Sequence, residues 1–307
     1  MRQDVIMTRP TEPAGSGTRE AVLTDLVAEG DDLDGLVAGL DGRRWAMPTP
    51  SPGWSIAHQI AHLSSSDFAA LASVTYASGV RAAVRGLTDP SSLLATARVG
   101  ATSGGWFVRR GFRRWSAAEL TGLIDALAEA GSRKEPATVL ARWRSARTRL
   151  AEALAAVAPA TKVRWLGTRM SPTSLATARL METWAHGQDV ADALRVRREP
   201  TARLRHVARL AVRNRDHAYR INGRTPPAAE FRVELTAPDG TLWTWGPDDT
   251  ADRVIGPAVD FCLLATQRRN LADLDLTGHG AAAEWLTIAQ AYAGPPGQGR
   301  APGTAES

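Results

Sequence analysis

Cysteine is nearly absent from this sequence, because Cys262 is the only one in 307 residues. A single thiol excludes an internal disulfide, and it also excludes a metal centre built from several thiolates. Any metal bound by this chain would therefore use nitrogen and oxygen donors. Cys262 lies in the largely apolar run Val259–Leu264, which favours a buried, unreactive thiol over a nucleophile.

Lysine is also scarce, since Lys134 and Lys162 are the only two beside many arginines. The net charge of +5 and the pI of about 10.1 therefore come mainly from arginine, whose excess, with that of alanine and glycine, is typical of GC-rich coding sequence. The densest basic segment, Trp106–Trp115, interleaves arginines with aromatic residues as single-strand binders do. A connector or an active-site lid explains one short cluster equally well, so we do not expect a nucleic-acid partner.

Long apolar runs are missing as well. The sequence has no window of about 18 apolar residues, and Met1–Thr18 is polar with no apolar segment of the kind that signal peptides carry. We therefore expect a cytoplasmic protein without a membrane partner. The hydrophobic content of 44% and the charged content of 22% are ordinary for a globular protein.

The first part of the chain carries helical patterns. Apolar residues recur at helical spacing over residues 20–41, 55–75, 136–158 and 173–195, and these four segments predict an all-α bundle. Residues 79–118, between the second and third segments, have a mixed pattern that indicates an elaborated crossover.

The pattern changes after Pro200. A helix over 201–219 precedes the alternation Phe231, Val233, Leu235, which predicts a strand that pairs through a turn at Pro238–Gly240 with a second strand. The fold class is therefore mainly α, with an N-terminal four-helix bundle and a small C-terminal α+β domain. The further elements expected are strands at 242–245, 253–255 and 274–276, a helix from Pro257 to about Arg269, and a last helix at 281–293.

We expect four sections along the chain. Residues 1–18 form a disordered N-terminus, 19–199 the metal-binding bundle, and 200–294 the α+β domain. Residues 295–307, rich in Gly and Pro, form a disordered tail.

Two polar residues of the fourth bundle helix indicate chemistry. Glu182 and His186 are four residues apart, which places a carboxylate and an imidazole on one helix face. Asp189 shares this face, which is otherwise apolar. Burying such groups without partners costs several kcal/mol, and a divalent metal that accepts both donors removes that cost. The alternative is an ordinary pair between Glu182 and Arg179, one turn away.

A third donor is expected from the second bundle helix, which begins at Ser55 and carries His58 and His62. Either imidazole, or both, could face the bundle interior. His58 is the second choice, because the third residue after a Ser cap often bonds back to the helix start. Two imidazoles and one carboxylate would leave part of a metal's coordination open, as in catalytic rather than structural zinc sites.

These motifs resemble those of the DinB-like (YfiT-like) superfamily, and specifically the mycothiol-dependent maleylpyruvate isomerase family in an actinobacterial metal-binding subgroup. The resemblance rests on Gly53-Trp54-Ser55 leading to His62-Leu63, and on Glu182, His186-Gly187 and Asp189. It implies that His62, Glu182 and His186 are zinc ligands and that Asp189 orients an imidazole. His58 stands where relatives tend to carry Asp.

The resemblance also implies an activity. We expect a zinc-dependent isomerase or thiol S-transferase that uses mycothiol, a low-molecular-weight thiol, as cosubstrate and acts on a small electrophilic substrate. Arg268 or Arg269 would bind a carboxylate of substrate or cofactor, unless they form surface salt bridges. Trp54 and Trp184 would wall the pocket, unless they pack in the core. The alternative function is a non-catalytic metal-binding sensor or ligand carrier, and the protein is expected to be a monomer or homodimer.

Overall fold

The computed structural model describes residues 18–77, 117–297 and 299–303. The basic aromatic segment Trp106–Trp115 and the predicted crossover up to residue 116 lie outside the described residues. The same holds for the first 17 residues and for 304–307.

The four predicted bundle helices are present. Their bounds, with those of a short α2, are α1 Arg19–Val37, α2 Gly42–Trp45, α3 Ile56–Ala77, α5 Pro136–Ala156 and α6 Pro172–Leu194. Thr18 is the N-cap of α1 and accepts the N–H of Ala21, and Ser171 is the N-cap of α6 and accepts the N–H of Ser174. The helix α1 packs along α6, and α3 packs along α5.

A further helix, α4 Ala117–Ser132, was not predicted from the sequence. It follows the crossover that was expected over residues 79–118. Leu120, Ile124 and Ala128 are buried at successive turns along one side of it, and this stripe packs against α3. The helix also brings two carboxylates, Asp125 and Glu129, next to histidines of α3.

A buried ion pair joins α3 to α6 inside the bundle. The Nε of Arg179 donates to Oδ1 of Asp67 at 2.8 Å, and both side chains are almost completely buried. Arg179 therefore pairs with Asp67, and the pair between Arg179 and Glu182 that the sequence offered as an alternative is not formed. The largest group of buried apolar residues continues from the bundle into the C-terminal part.

The C-terminal part contains a four-stranded sheet of β3 Arg232–Thr236, β4 Leu242–Trp245, β5 Arg253–Pro257 and β6 Thr277–His279, in the order β4-β3-β5-β6. The predicted hairpin is confirmed, with β3 antiparallel to β4. Gly240 in the connecting turn has φ of +81°, a backbone conformation that glycine adopts readily. The remaining elements are α7 Leu204–Arg213, α8 Arg215–Ile221, α9 Ala258–Ala265, a 3-10 helix Leu271–Asp273 and α10 Ala281–Leu286.

Several boundaries differ from the prediction. The helix expected over 201–219 is interrupted at Asn214, whose side-chain amide donates to the carbonyl of Ala291 at 2.6 Å. The strand expected at 274–276 lies at 277–279, where it pairs with β5. The last helix ends at Leu286, because the chain then turns so that the N–H of Ala291 reaches the carbonyl of Ala265.

A short hairpin precedes α6 and was also not predicted. Its strands are β1 Val163–Trp165 and β2 Thr168–Met170. Leu166 and Gly167 have φ of +43° and +79°, which is the backbone of a two-residue hairpin turn. Across the described ranges, the helices that are long enough to span a bilayer are not sufficiently apolar to do so.

Candidate metal centre

The packing of α3 against α6 brings three metal-type donors together. His62 of α3 and Glu182 and His186 of α6 each offer one donor atom, and these atoms lie within 4.8 Å of one another. The Nε2 of His186 is 3.3 Å from Oε2 of Glu182, and the two imidazole rings have their centroids 4.7 Å apart. The three residues that the sequence selected therefore meet at one point of the bundle.

The surroundings fix the charge of two of these groups. Burial, and after it the neighbouring His186, lower the pKa of His62 to about 3. Glu182 acts in the opposite direction, but its effect on this pKa is smaller than that of His186. Burial alone would raise the pKa of Glu182, but the hydrogen bond to His186 and the nearby positive charges hold that pKa at about 2. At neutral pH the site therefore contains an uncharged His62 and an ionised Glu182, which are the protonation states that bind a metal.

One ring nitrogen of His62 has no hydrogen-bond partner among the described residues. The Nδ1 of His62 is buried and accepts or donates no hydrogen bond among the described residues, although Oδ1 of Asp125 lies 3.7 Å away. Leaving such a nitrogen unsatisfied is costly. Two imidazole nitrogens and a carboxylate oxygen form the donor set of many catalytic zinc sites, so the residues present fit a divalent metal.

His186 is oriented by Gln59, a residue that was not predicted to belong to the site. The ring Nδ1–H donates to Oε1 of Gln59 at 2.5 Å, and this bond is buried. Gln59 in turn donates from Nε2 to Oγ1 of Thr49 at 2.8 Å, and Thr49 donates to the carbonyl of Trp54 at 2.9 Å. This chain of hydrogen bonds makes Nδ1 of His186 the donor to Gln59, so Nε2 is the ring nitrogen that faces Glu182.

The loop before α3 places an indole over the imidazoles. Gly53 has φ of +76°, and the carbonyl of Trp54 accepts the N–H of Thr49 at 2.7 Å, so the loop is held as a tight turn. The Trp54 ring lies 5.1 Å from that of His62 and 5.9 Å from that of His186. Trp54 therefore covers one side of the three-donor group.

The second candidate tryptophan has a different position. Trp184 is buried with 7% of its surface exposed, and it belongs to the large apolar core. Its carbonyl accepts from Arg198 at 3.0 Å. Trp184 therefore packs in the core, which was the alternative to its lining the pocket.

Asp189 lies on the same helix face but has other partners than an imidazole. Its fully buried carboxylate accepts from Arg268 at 2.9 Å, from Arg300 at 2.6 Å and from Ser51 at 2.9 Å. The orienting role expected for Asp189 is taken by Gln59. Asp189 instead joins three distant segments to α6.

The arginines expected to bind a ligand carboxylate are paired within the protein. Arg268 donates to Asp189 and also to the carbonyls of Ala185 and Thr266 at 3.2 and 2.6 Å. Arg269 binds Asp192 with two nitrogens, at 2.7 and 2.8 Å. Both arginines therefore form salt bridges within the protein, which was the alternative to their binding a ligand carboxylate.

His58, the alternative ligand, is engaged at the start of α3. Its Nδ1 lies 3.2 Å from the N–H of Ser55 and 2.8 Å from the Ser55 hydroxyl, which is the back-bonding expected after a Ser cap. Its Nε2 is 3.0 Å from Oε2 of Glu129 and 3.0 Å from Oγ of Ser132. Both ring nitrogens therefore have partners outside the three-donor group.

Two family models match the chain. The model described as the mycothiol maleylpyruvate isomerase N-terminal domain matches residues 26–191, which is more than half of the chain and includes all three donors. A second model, described as wyosine base formation, matches residues 227–279.

Similar proteins and structures are also found. Two proteins of Mycobacterium tuberculosis, from strains CDC 1551 / Oshkosh and H37Rv, are each 50% identical over 279 residues, which cover 91% of this chain and 97% of theirs, and both are called uncharacterized. A crystal structure of the mycothiol-dependent maleylpyruvate isomerase superposes with a TM-score of 0.50 at 16% identity. A mutant of that enzyme gives 0.52 at 15%. Each alignment covers 80% of this chain and 88% of the other, and at this identity it shows a shared fold.

Proposed function

The chain belongs to the mycothiol maleylpyruvate isomerase family, and from that membership we propose that it is a zinc-dependent enzyme using mycothiol against a small electrophile. One observation carries the proposal: His62, Glu182 and His186 present donor atoms within 4.8 Å of one another inside the bundle. These three residues would hold the metal. The resemblance in fold to mycothiol-dependent maleylpyruvate isomerase supports the same conclusion.

The nucleophile has to come from outside the protein. Cys262 is completely buried, its Sγ is 3.5 Å from the carbonyl of Leu204, and burial raises the pKa of its thiol. A small thiol cosubstrate therefore supplies the sulfur, and the family description names mycothiol. Bound zinc would lower the pKa of such a thiol and so favour the thiolate at neutral pH.

The residues of the chain prepare the site for this chemistry. Gln59 holds the His186 ring in one tautomer and orientation. Trp54 shields one side of the imidazoles from water and gives the site an apolar wall. Glu182 contributes an ionised oxygen donor, and burial keeps the His62 imidazole uncharged and able to bind a metal.

The fate of the thiol adduct distinguishes two reactions. In an isomerase the thiolate adds to an activated double bond, the resulting single bond rotates, and the thiolate leaves again. In an S-transferase the new carbon–sulfur bond persists and the carbanion formed on addition takes up a proton. Isomerisation is our first choice because the family description names that activity.

Metal content tests the site. We expect about one zinc per wild-type chain by elemental analysis, and loss of zinc in His62→Ala, Glu182→Ala and His186→Ala. The matched control is His58→Ala, which removes an imidazole from the same helix and should retain zinc, because both nitrogens of His58 have other partners. Full zinc in the three variants would overturn the proposed site.

Calorimetry and turnover test the activity. Mycothiol should bind the zinc-loaded protein and fail to bind the metal-free protein. With maleylpyruvate as the test electrophile, loss of its absorbance should depend on catalytic amounts of mycothiol for an isomerase and on stoichiometric amounts for a transferase. Zinc binding without any thiol-dependent loss of this electrophile would favour the sensor or carrier over the maleylpyruvate isomerase.

A further inference from the structure

A cavity with a volume of about 330 Å³ lies in the C-terminal part. It is lined by the end of α9 and the residues after it, by the segment that follows α10, and by Pro296, Gly297, Gly299 and Arg300. Arg269 and Arg300 line it together with side-chain amides and with Leu264 and Leu271, and its lining contains no carboxylate among the described residues. The cavity therefore has positively charged, hydrogen-bonding and apolar walls.

The arginines around this cavity outnumber their carboxylate partners. Arg268 and Arg300 share the single carboxylate of Asp189, and Arg269 binds Asp192. Asp189 is fully buried, and the other four side chains are at most 16% exposed. Three guanidinium groups thus share two carboxylates in a region with little water, which is unfavourable, and two of the three, Arg269 and Arg300, line the cavity.

Two further contacts bear on this imbalance. The Nε of Arg300 is buried without a hydrogen-bond partner in the described part of the chain. Asp273 is the next carboxylate whose charge acts on Arg269, but it is exposed and both of its oxygens accept the N–H of Gly303 at 2.9 Å. Solvent screens its charge, so it does not replace a buried counterion.

We propose that this cavity binds a small molecule carrying a carboxylate or phosphate group, with Arg300 and Arg269 contacting the anion. The anion would balance the surplus charge and accept a hydrogen bond from the free Nε of Arg300. The volume lies at the lower end of the range for small-molecule sites. The lining includes neither the three metal-type donors nor Trp54, so the site is separate from the metal centre and does not depend on the proposed function.

The experiment measures anion binding to the full chain. Inorganic phosphate and succinate are titrated into the wild-type protein by calorimetry, with sodium chloride at matched ionic strength as the reference. We expect specific heat from at least one of the two anions. Succinate alone would identify a carboxylate ligand, phosphate alone a phosphate ester, and both together a site that accepts either group.

Two variants test the location. Arg300→Gln removes the charge with the free Nε, and Ala289→Leu places a larger side chain in the lining without changing any charge. We expect Arg300→Gln to weaken anion binding about tenfold or more, the range for losing a charge-assisted contact. Ala289→Leu should weaken it because the larger side chain occupies part of the cavity. If Arg300→Gln does not fold, Ala289→Leu decides alone.

Two controls show whether the anion binds in this cavity or elsewhere on the protein. Arg133→Gln removes an arginine that directly follows α4 and is 74% exposed, and it should leave anion binding unchanged. Glu182→Ala should also retain it, although zinc is lost. The proposal is overturned if neither anion gives more heat than chloride, or if both cavity variants bind the anion as tightly as the wild type.

Discussion

Replacing Gln59 with leucine should weaken zinc binding although Gln59 is not a proposed ligand. The substitution keeps a similar volume at a fully buried position and removes the oxygen that accepts the Nδ1–H of His186 at 2.5 Å. The imidazole then loses the contact that fixes its tautomer, and a buried N–H is left without an acceptor. Losing such a supporting contact typically costs about 10- to 100-fold in metal affinity, or about 1.4 to 2.8 kcal/mol.

The assay is competition for zinc with a chromophoric chelator at neutral pH. Gln59→Glu retains an acceptor at the same place and should restore most of the affinity that Gln59→Leu loses. Gln188→Leu is the matched control, since Gln188 lies on α6 and donates to Asp192 rather than to an imidazole. Urea unfolding of the metal-free proteins separates affinity from stability. An affinity of Gln59→Leu within about threefold of the wild type would refute the reasoning, because the expected loss is at least about tenfold.

Three further outcomes are expected. Removing zinc with a chelator should lower the melting temperature of the wild type, since a metal at 100 times its dissociation constant stabilises the folded state by about 2.7 kcal/mol. The same treatment should leave the melting temperature of His62→Ala unchanged, and equal shifts in both proteins would contradict the proposed site. Arg179→Met should lower the free energy of unfolding, measured in urea, by about 3 to 5 kcal/mol, because it leaves the buried carboxylate of Asp67 without its partner. The double variant Asp67→Leu, Arg179→Met should recover most of this loss. An equally unstable double variant would argue against the unpaired charge as the cause. The hydrogen bond from Arg144 lowers the pKa of Asp34 below its usual 3.8, so Asp34 stabilises the folded state above about pH 4 and loses this effect as the pH falls through its lowered pKa. The difference in unfolding free energy between wild type and Asp34→Asn should therefore shrink between pH 7 and pH 3, and a constant difference would exclude this linkage.

The local spacing of residues in the sequence was sufficient to predict the four bundle helices and the three donor residues. Glu182 and His186 are adjacent on one helix face whatever the rest of the fold does, and His62 follows a recognisable helix start at Ser55. The same kind of signal was available for α4, because Leu120 and Ile124 are spaced by one turn. Neither residue, however, indicates that the helix packs against α3.

The partners of the donors depend on contacts that spacing does not encode. Gln59 reaches His186 across 127 positions of sequence, and Arg300 reaches Asp189 across 111. A polar residue three positions before His62 was a usable signal for Gln59, since it falls on the same buried face of α3. Nothing near Arg300 in the sequence points to Asp189, and the segment around it has the Gly and Pro content that led to a prediction of disorder.

The three contacts of Asp189 have a practical meaning for work on the chain's C-terminal region. Arg300 acts on the helix that supplies Glu182 and His186, although it lies more than 100 positions downstream. A chain truncated before Arg300, or a purification tag fused close to it, would thus remove or disturb a contact that supports α6. A tag is better placed next to residues that make no contact with the bundle.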